Sequence, residues 1–472
     1  MRRVSVLLAA LAVPLLTVPV PANAQSLSDA AFQSDEAPNG HAHVSEEMLN
    51  AILAQHVEQS AELRDYMMGA FTTGRAELTG FVQAKFVPSD SQGIIEIELA
   101  GRSVAQNSSN YRDRVQIRSS AHTDVHAAKQ LVVTPAGFRT RPARAWCPTV
   151  VRVQDVDARL RLVERFAWRR LCKKRGEMQA DASRQAADRI SEQLDEQAAK
   201  PLANANRTYR EQIKQALDDR GAFPRAMRVS TTGNLLQLAL LQRGAGQRSR
   251  PGEAKQADPS LDIGIAAHES LIENLTESFF GGGTIADEAF LEVVKTMQGQ
   301  APRALWVFER RPRWSITLRE KQPLRVHFDG AADTFQLALF ATRVDNGENS
   351  YQGPVQIEAS YHMEITPHGP HLVRSEPLVV RLQDAPEADA ATPEEPTDAQ
   401  EWRGFLERKF SAFFGKDIYF DGLMPPQGGQ LAKLRDLRLA ELSASGGWFT
   451  IGYQLPEERV AAQNKKSGRK RE

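Results

Sequence analysis

The chain has 472 residues but only two cysteines, Cys147 and Cys172. That scarcity excludes a disulfide framework and leaves one bridge between the two, or two free thiols. Neither cysteine has another Cys or a His at ligand spacing, so no cysteine-based metal site is expected. An excess of one charge is also missing, with 59 Lys plus Arg against 59 Asp plus Glu. A chain without an overall field is not expected to bind nucleic acid. After the first 24 residues no apolar run approaches the ~20 residues that span a bilayer. The phosphate-loop, nucleophile-elbow and H-E-x-x-H signatures are absent. His41-Ala-His43 lacks a third ligand. Gly281–Thr284, "GGGT", lacks the lysine and the preceding strand of a phosphate cradle, and reads as a joint between helices. "ERRPRW" at Glu309–Trp314 reads as the start of a strand with solvated charges. No catalytic residue, metal site or cofactor is expected, and the chain is not read as an enzyme.

The N-terminus carries a positive signal. Arg2-Arg3 precedes the apolar stretch Val4–Val20, and Ala22-Asn-Ala24 supplies small residues at a cleavage site. This reads as a secretory signal peptide, residues 1–24. The expected destination is the periplasm or the exterior, with no transmembrane segment in the mature chain. Residues 25–43 are expected to be a loose N-terminal segment, and 457–472 a basic tail.

The chain also repeats itself. "VQIRSSAHTDV" (Val115–Val125) and "VQIEASYHMEI" (Val355–Ile365) share V-Q-I-x-x-S-x-H. Alternation gives each strand one inward face: Val115, Ile117, Ser119, Ala121, Thr123 and Val125 in the first, Val355, Ile357, Ala359, Tyr361, Met363 and Ile365 in the second. His122 and His362 fall on the polar faces. A T-P-x-G turn follows each strand, at Thr134–Gly137 and Thr366–Gly369. A helix precedes each strand set, beginning near Val44 and near Ala267, with Ser45 placed as a helix cap. Each half closes with a strand–turn–strand, Met227–Leu241 and Leu437–Leu455. The expected organisation is a first α+β repeat over 44–243, with a long helical segment 156–219, then a linker 244–260. A second repeat follows over 261–456, with an acidic, proline-rich loop 384–400. The helical segment is apolar enough at Leu160, Leu162, Val163, Phe166 and Leu171 to bury a face. Beyond Arg175 it either packs on a thin stripe or projects, with a break near Pro201.

"AHESLIENLTESFFGGGTIADEAF", "RPRWSIT" and "GWFTIGYQL" resemble an uncharacterised family of exported bacterial proteins. More distantly, each half is similar in layout to the tubular lipid-binding superfamily, which includes the bactericidal permeability-increasing-type proteins. The shared features are the order of elements and an E-x-x-[LI]-x-x-[LI] opening helix at Glu46 and Glu269. The resemblance implies a bent antiparallel sheet around a helix with a lipid in the seam. The fold class expected is α+β: two related domains, each a curved antiparallel sheet packed on or around helices. The function expected is non-catalytic binding of an apolar or amphipathic ligand, such as a lipid or lipid-linked envelope component. Leu49, Ile52, Leu53, Ala121, Ile272, Leu275, Tyr361 and Met363 are the candidate groove residues. Ser119, Ala121 and Thr123 leave more room than Ala359, Tyr361 and Met363, so a cavity is expected to be larger in the first half. The alternative is a structural or assembly protein of the cell envelope that docks an envelope partner through its long helix.

Overall fold

Long alternating stretches of apolar and β-branched residues make strands the dominant element, and the helices are amphipathic pieces laid on them. A computed structural model describes residues 37–67, 70–111, 114–248, 255–289, 313–329, 334–366, 369–382, 398–419 and 437–456. The expected leader, the basic tail and most of the acidic loop lie outside these residues. The described chain forms three antiparallel sheets with several helices, a mixed α+β fold. It divides into two units. Unit one holds Glu46–Thr208 and Val229–Leu236; unit two holds the described part of Val18–Ser45, Tyr209–Arg228 and the chain from Gln237 onward. No helix among the described residues is long and apolar enough to cross a membrane.

In unit one, helix α1 (Glu46–Leu53) leads into β2 (Gln55–Met67), β3 (Ala70–Val87), β4 (Gly93–Tyr111) and β5 (Val115–Thr134). Then follow β6 (Gly137–Thr140), β7 (Arg144–Trp146) and β8 (Thr149–Ala158). β2 to β6 pair in sequence order, and β7 and β8 add to β5. Helix α2 (Arg161–Lys173) and helix α3 (Arg175–Thr208) complete the unit. The helical segment therefore starts later than expected, because β8 carries the strand through Ala158. Its break lies at Lys174, where the N–H bonds back to Arg170 and Cys172, and not at Pro201, which is buried inside α3.

Nor does α3 project. Ala186, Ala187, Ile190 and Leu194 pack against a core of Val82, Leu99, Val125, Ala127 and Cys147, from β3, β4, β5 and the loop after β7. Small alanines let the helix lie close to the strands, so a sparse apolar stripe is enough. Polar clamps fix it along its length. Ser183 Oγ accepts from the Thr149 N–H (2.9 Å). The Asp195 carboxylate takes the buried Lys129 ammonium and the Ala143 N–H. Asn206 donates to the Phe138 carbonyl (2.8 Å) and accepts its N–H (2.9 Å). Lys129 beside Asp195 holds that carboxyl below the usual carboxylate range.

Unit two carries the other two sheets. One has six strands in the order β20 (Arg438–Ser445), β21 (Trp448–Gln454), β11 (Ile263–His268), β1 (Gly40–Ser45), β10 (Leu235–Leu241) and β9 (Ala226–Thr231). The ends of β9 and β10 at Val229–Thr231 and Leu235–Leu236 are counted with unit one. The order is a palindrome of the repeat: the first half supplies β1, β10 and β9, the second β11, β21 and β20. Ala42 pairs with Ile265, its counterpart by the spacing that relates Glu46 to Glu269, so a local two-fold relation passes through that pair. Gly446 and Gly447, at φ 59° and 78°, allow the tight turn between β20 and β21. His43 is buried at the β1–β11 junction, its Nε2 3.2 Å from the Leu261 carbonyl, and burial pushes its pKa down. The segment expected to be loose thus ends in an ordered strand, since β1 is needed to join the two halves of this sheet.

The remaining sheet runs β12 (Thr284–Ala286), β13 (Ser315–Leu318), β15 (Thr334–Asp345), β16 (Ser350–Thr366), β17 (Gly369–Arg374) and β19 (Asp417–Tyr419). β14 (Leu324–Asp329) adds to β15 and β18 (Val379–Leu382) to β16. Helix α5 (Asp398–Phe413) buries Leu406 and Phe410 in its core. Helix α4 (Glu269–Phe280) carries Ile272 and Leu275, two of the expected groove residues, and both are half-buried. Its buried positions are Glu269, Ser270, Glu273 and Asn274. Arg248, from the expected linker, meets Glu273 (2.9 Å) and Glu269 (3.2 Å), and Gln247 donates to the Asn274 carbonyl. The described residues 247 and 248 of the expected linker are therefore anchored by polar pairing to buried side chains of α4.

Candidate ligand-binding cavity

The two strands that announced the repeat occupy equivalent places. β5 pairs Val115 with Ala158 and Thr134 with Gly137; β16 pairs Val355 with Leu382 and Thr366 with Gly369. Their inward faces differ in bulk. In β16, Tyr361 and Met363 are packed in the core; the Tyr361 ring stacks on Phe335 at 5.5 Å and its hydroxyl donates to the Gly415 carbonyl. Burial raises the Tyr361 pKa far above the usual phenol value. The β5 counterparts are Ala121 and Thr123, and the volume they leave is not made up by neighbours.

The result is a cavity of about 380 Å³ in unit one. Its floor is the inward face of the sheet. β5 gives Val115, Ile117, Ser119 and Ala121; β4 gives Asn107, Ser109 and Tyr111. Ile117 lies opposite Ser109, Ser119 opposite Asn107, and Val115 opposite Tyr111. Ala70 and Thr72 of β3 and Val151 of β8 extend the floor, and Thr72 and Ser109 share a hydrogen bond of 2.8 Å. The roof is helical: Val163, Phe166, Ala167, Arg170 and Leu171 of α2, Lys174 at the break, and Met178 and Ala182 of α3. Small residues on the floor and large ones on the roof do not interdigitate, which leaves the space.

The lining is mainly apolar and, among the described residues, contains no acid, histidine or cysteine. Lys174 is paired with Glu177 (2.8 Å), whereas Arg170 has no ion-pair partner among the described residues. Asn107 Oδ1 is shut off from solvent without a hydrogen-bond partner among the described residues. Among the described residues no group of three His, Cys, Asp or Glu side chains is placed to hold a metal ion. Cys147 is buried, which pushes its thiol pKa up, and Cys172 is exposed on α2; both are free thiols. His43 and His41 belong to the six-stranded sheet, His41 lying against the Trp448 ring at 5.8 Å.

Of the residues expected to line a groove, Ala121 lines the cavity. Leu49, Ile52 and Leu53 are buried on α1, outside the lining. Tyr361 and Met363 are core residues of unit two, Ile272 packs against the same core, and Leu275 is half-buried. The whole α2 roof was missed, because its apolar residues had been read as a buried face. No residue of α2 is buried.

No protein-family model matches the chain, and no curated protein matches it. Among solved structures, a crystal structure of lipopolysaccharide binding protein aligns at 10% identity and TM-score 0.26. The alignment covers 89% of this chain and 99% of that one. A crystal structure of P47 of Clostridium botulinum E1 aligns at 8% identity and TM-score 0.25, over 89% and 100%. Superpositions this loose carry no functional argument.

Proposed function

We propose that the protein is an exported, non-catalytic binder of an amphipathic molecule, and that the cavity of unit one takes its apolar chain. The observation that carries this is a mainly apolar space beside Ala121, at the strand position where the second copy packs the Tyr361 ring on Phe335. A volume near 380 Å³ lies toward the small end of ordinary ligand sites, roughly 300–1,000 Å³. It suits one acyl chain. Arg170 at the roof gives an acidic headgroup a counter-charge.

The test is mass spectrometry of organic extracts from protein purified without detergent. A single-chain or acyl-bearing lipid is expected in wild type. Ala121→Tyr, which installs the residue of the second copy, is expected to lower the bound amount at least about tenfold. Repeated extraction of no lipid from wild type would overturn the reading.

A further inference from the structure

Helix α2 is an unusual roof. Leu162 is 83% exposed, Phe166 67% and Trp168 43%. Apolar side chains of this size gain from leaving water, and no described residue covers that face of the helix. The same stretch is strongly basic. Arg159–Arg175 holds eight Lys and Arg against the single acid Glu164. Among the described residues only Lys174 of those eight is in an ion pair. Arg161, Arg165, Arg169 and Lys173 recur every fourth residue, making one exposed row, and Leu162 and Phe166 form the adjacent row. A planar surface meeting α2 would touch both rows at once.

The sheet places more exposed apolar groups at the same end. Tyr66 pairs with Phe71 at the β2–β3 turn, and Tyr111 pairs with Val115, which pairs with Ala158 just before α2. Tyr66, Phe71, Tyr111 and Leu160 are all exposed. Tyr111 also lines the cavity, so these groups share the end of the sheet that borders it.

We infer that α2 and this sheet end dock onto an anionic lipid bilayer. The apolar side chains enter the headgroup–acyl boundary, and the Arg and Lys row reaches the phosphates above them. Charge complementarity decides the occupant: an unpaired basic row beside Leu, Phe and Trp matches anionic headgroups over hydrocarbon. Docking of this kind brings the cavity-lining end of the sheet to the membrane, yet needs no molecule inside the cavity.

The test is flotation of the purified full chain with vesicles of phosphatidylcholine, with or without about one third phosphatidylglycerol. Wild type is expected to float with the anionic vesicles and not with the neutral ones, and high salt weakens the association. Arg165→Glu/Arg169→Glu/Lys173→Glu is expected to lower vesicle affinity at least about tenfold. Leu162→Ser/Trp168→Ser is expected to abolish the salt-resistant fraction. None of these five side chains lines the cavity, and all are exposed. Far-UV circular dichroism and melting temperature should stay those of wild type. Failure of wild type to float, or a charge-reversed variant that floats equally well, overturns the inference. Loss of flotation with lipid still present in organic extracts would remove docking and spare the cavity reading. Flotation without extractable lipid would do the reverse.

Discussion

Ala121 and Tyr361 stand at the same place in two copies of one strand, and their bulk decides how fully each copy is packed. Tyr361 fills its site, so Tyr361→Ala removes a buried ring and a hydroxyl with a partner. A loss of about 3–5 kcal/mol is expected. Ala121→Tyr adds a ring where about 380 Å³ is open, so it should cost less than about 1 kcal/mol and remove binding. Urea titrations of the two variants check both. Equal losses would mean that the space beside Ala121 is not available to a side chain. The difference between the copies was legible in the sequence, because alternation assigns the inward face and residue size then sets the room. What alternation could not supply was the roof. A strand's sequence does not say which helix lies over it, so Val163, Phe166 and Leu171 were read as buried when they border a space.

At the level of elements, α3 shows how a helix with a thin apolar stripe stays in place. Its alanines permit close approach and three polar clamps fix its register on the sheet. Asp195 is the most telling clamp, since its partner Lys129 is buried. Asp195→Asn leaves that ammonium without a counter-charge and is expected to cost about 1–3 kcal/mol, with Asp195 itself partly solvated. The sign with pH follows from Lys129 depressing the Asp195 pKa in the folded state. The clamp's contribution is full above the unfolded value of about 3.9 and is lost as pH falls through the folded value. The gap in melting temperature between wild type and Asp195→Asn should therefore be wide at neutral pH and narrow as pH falls below about 3.9. A gap unchanged in acid would show that the pair does not hold the helix. The sequence marked this stretch as helical but suggested a break at Pro201. Propensity alone penalises proline inside a helix, and the tertiary clamps on either side override it.

For the whole molecule, the six-stranded sheet is where duplication becomes structure. Each half of the sequence contributes three strands, and β1 meets β11 about a local two-fold relation. The repeat was readable in the sequence as ordered pieces. The joining of those pieces into one sheet was not, because β1 begins inside a short, His- and Gly-bearing segment with little strand pattern. A fragment ending at residue 243 would leave β1 as an unpaired edge, and one beginning at 255 would leave β11 so. Neither is expected to give a stable monomer, whereas the two co-expressed should associate through β1 and β11 and co-elute. His43 sits in that junction, its pKa depressed first by burial, while the Leu261 carbonyl and nearby carboxylates act in the opposite sense. A depressed folded value means the junction is fully stable above the unfolded pKa of about 6.5 and weakens as pH falls through the folded value. Association of the two fragments should thus loosen in mild acid, and His43→Gln should make it less sensitive to pH. Fragments that fold and remain apart at neutral pH would mean that β1 and β11 do not depend on each other.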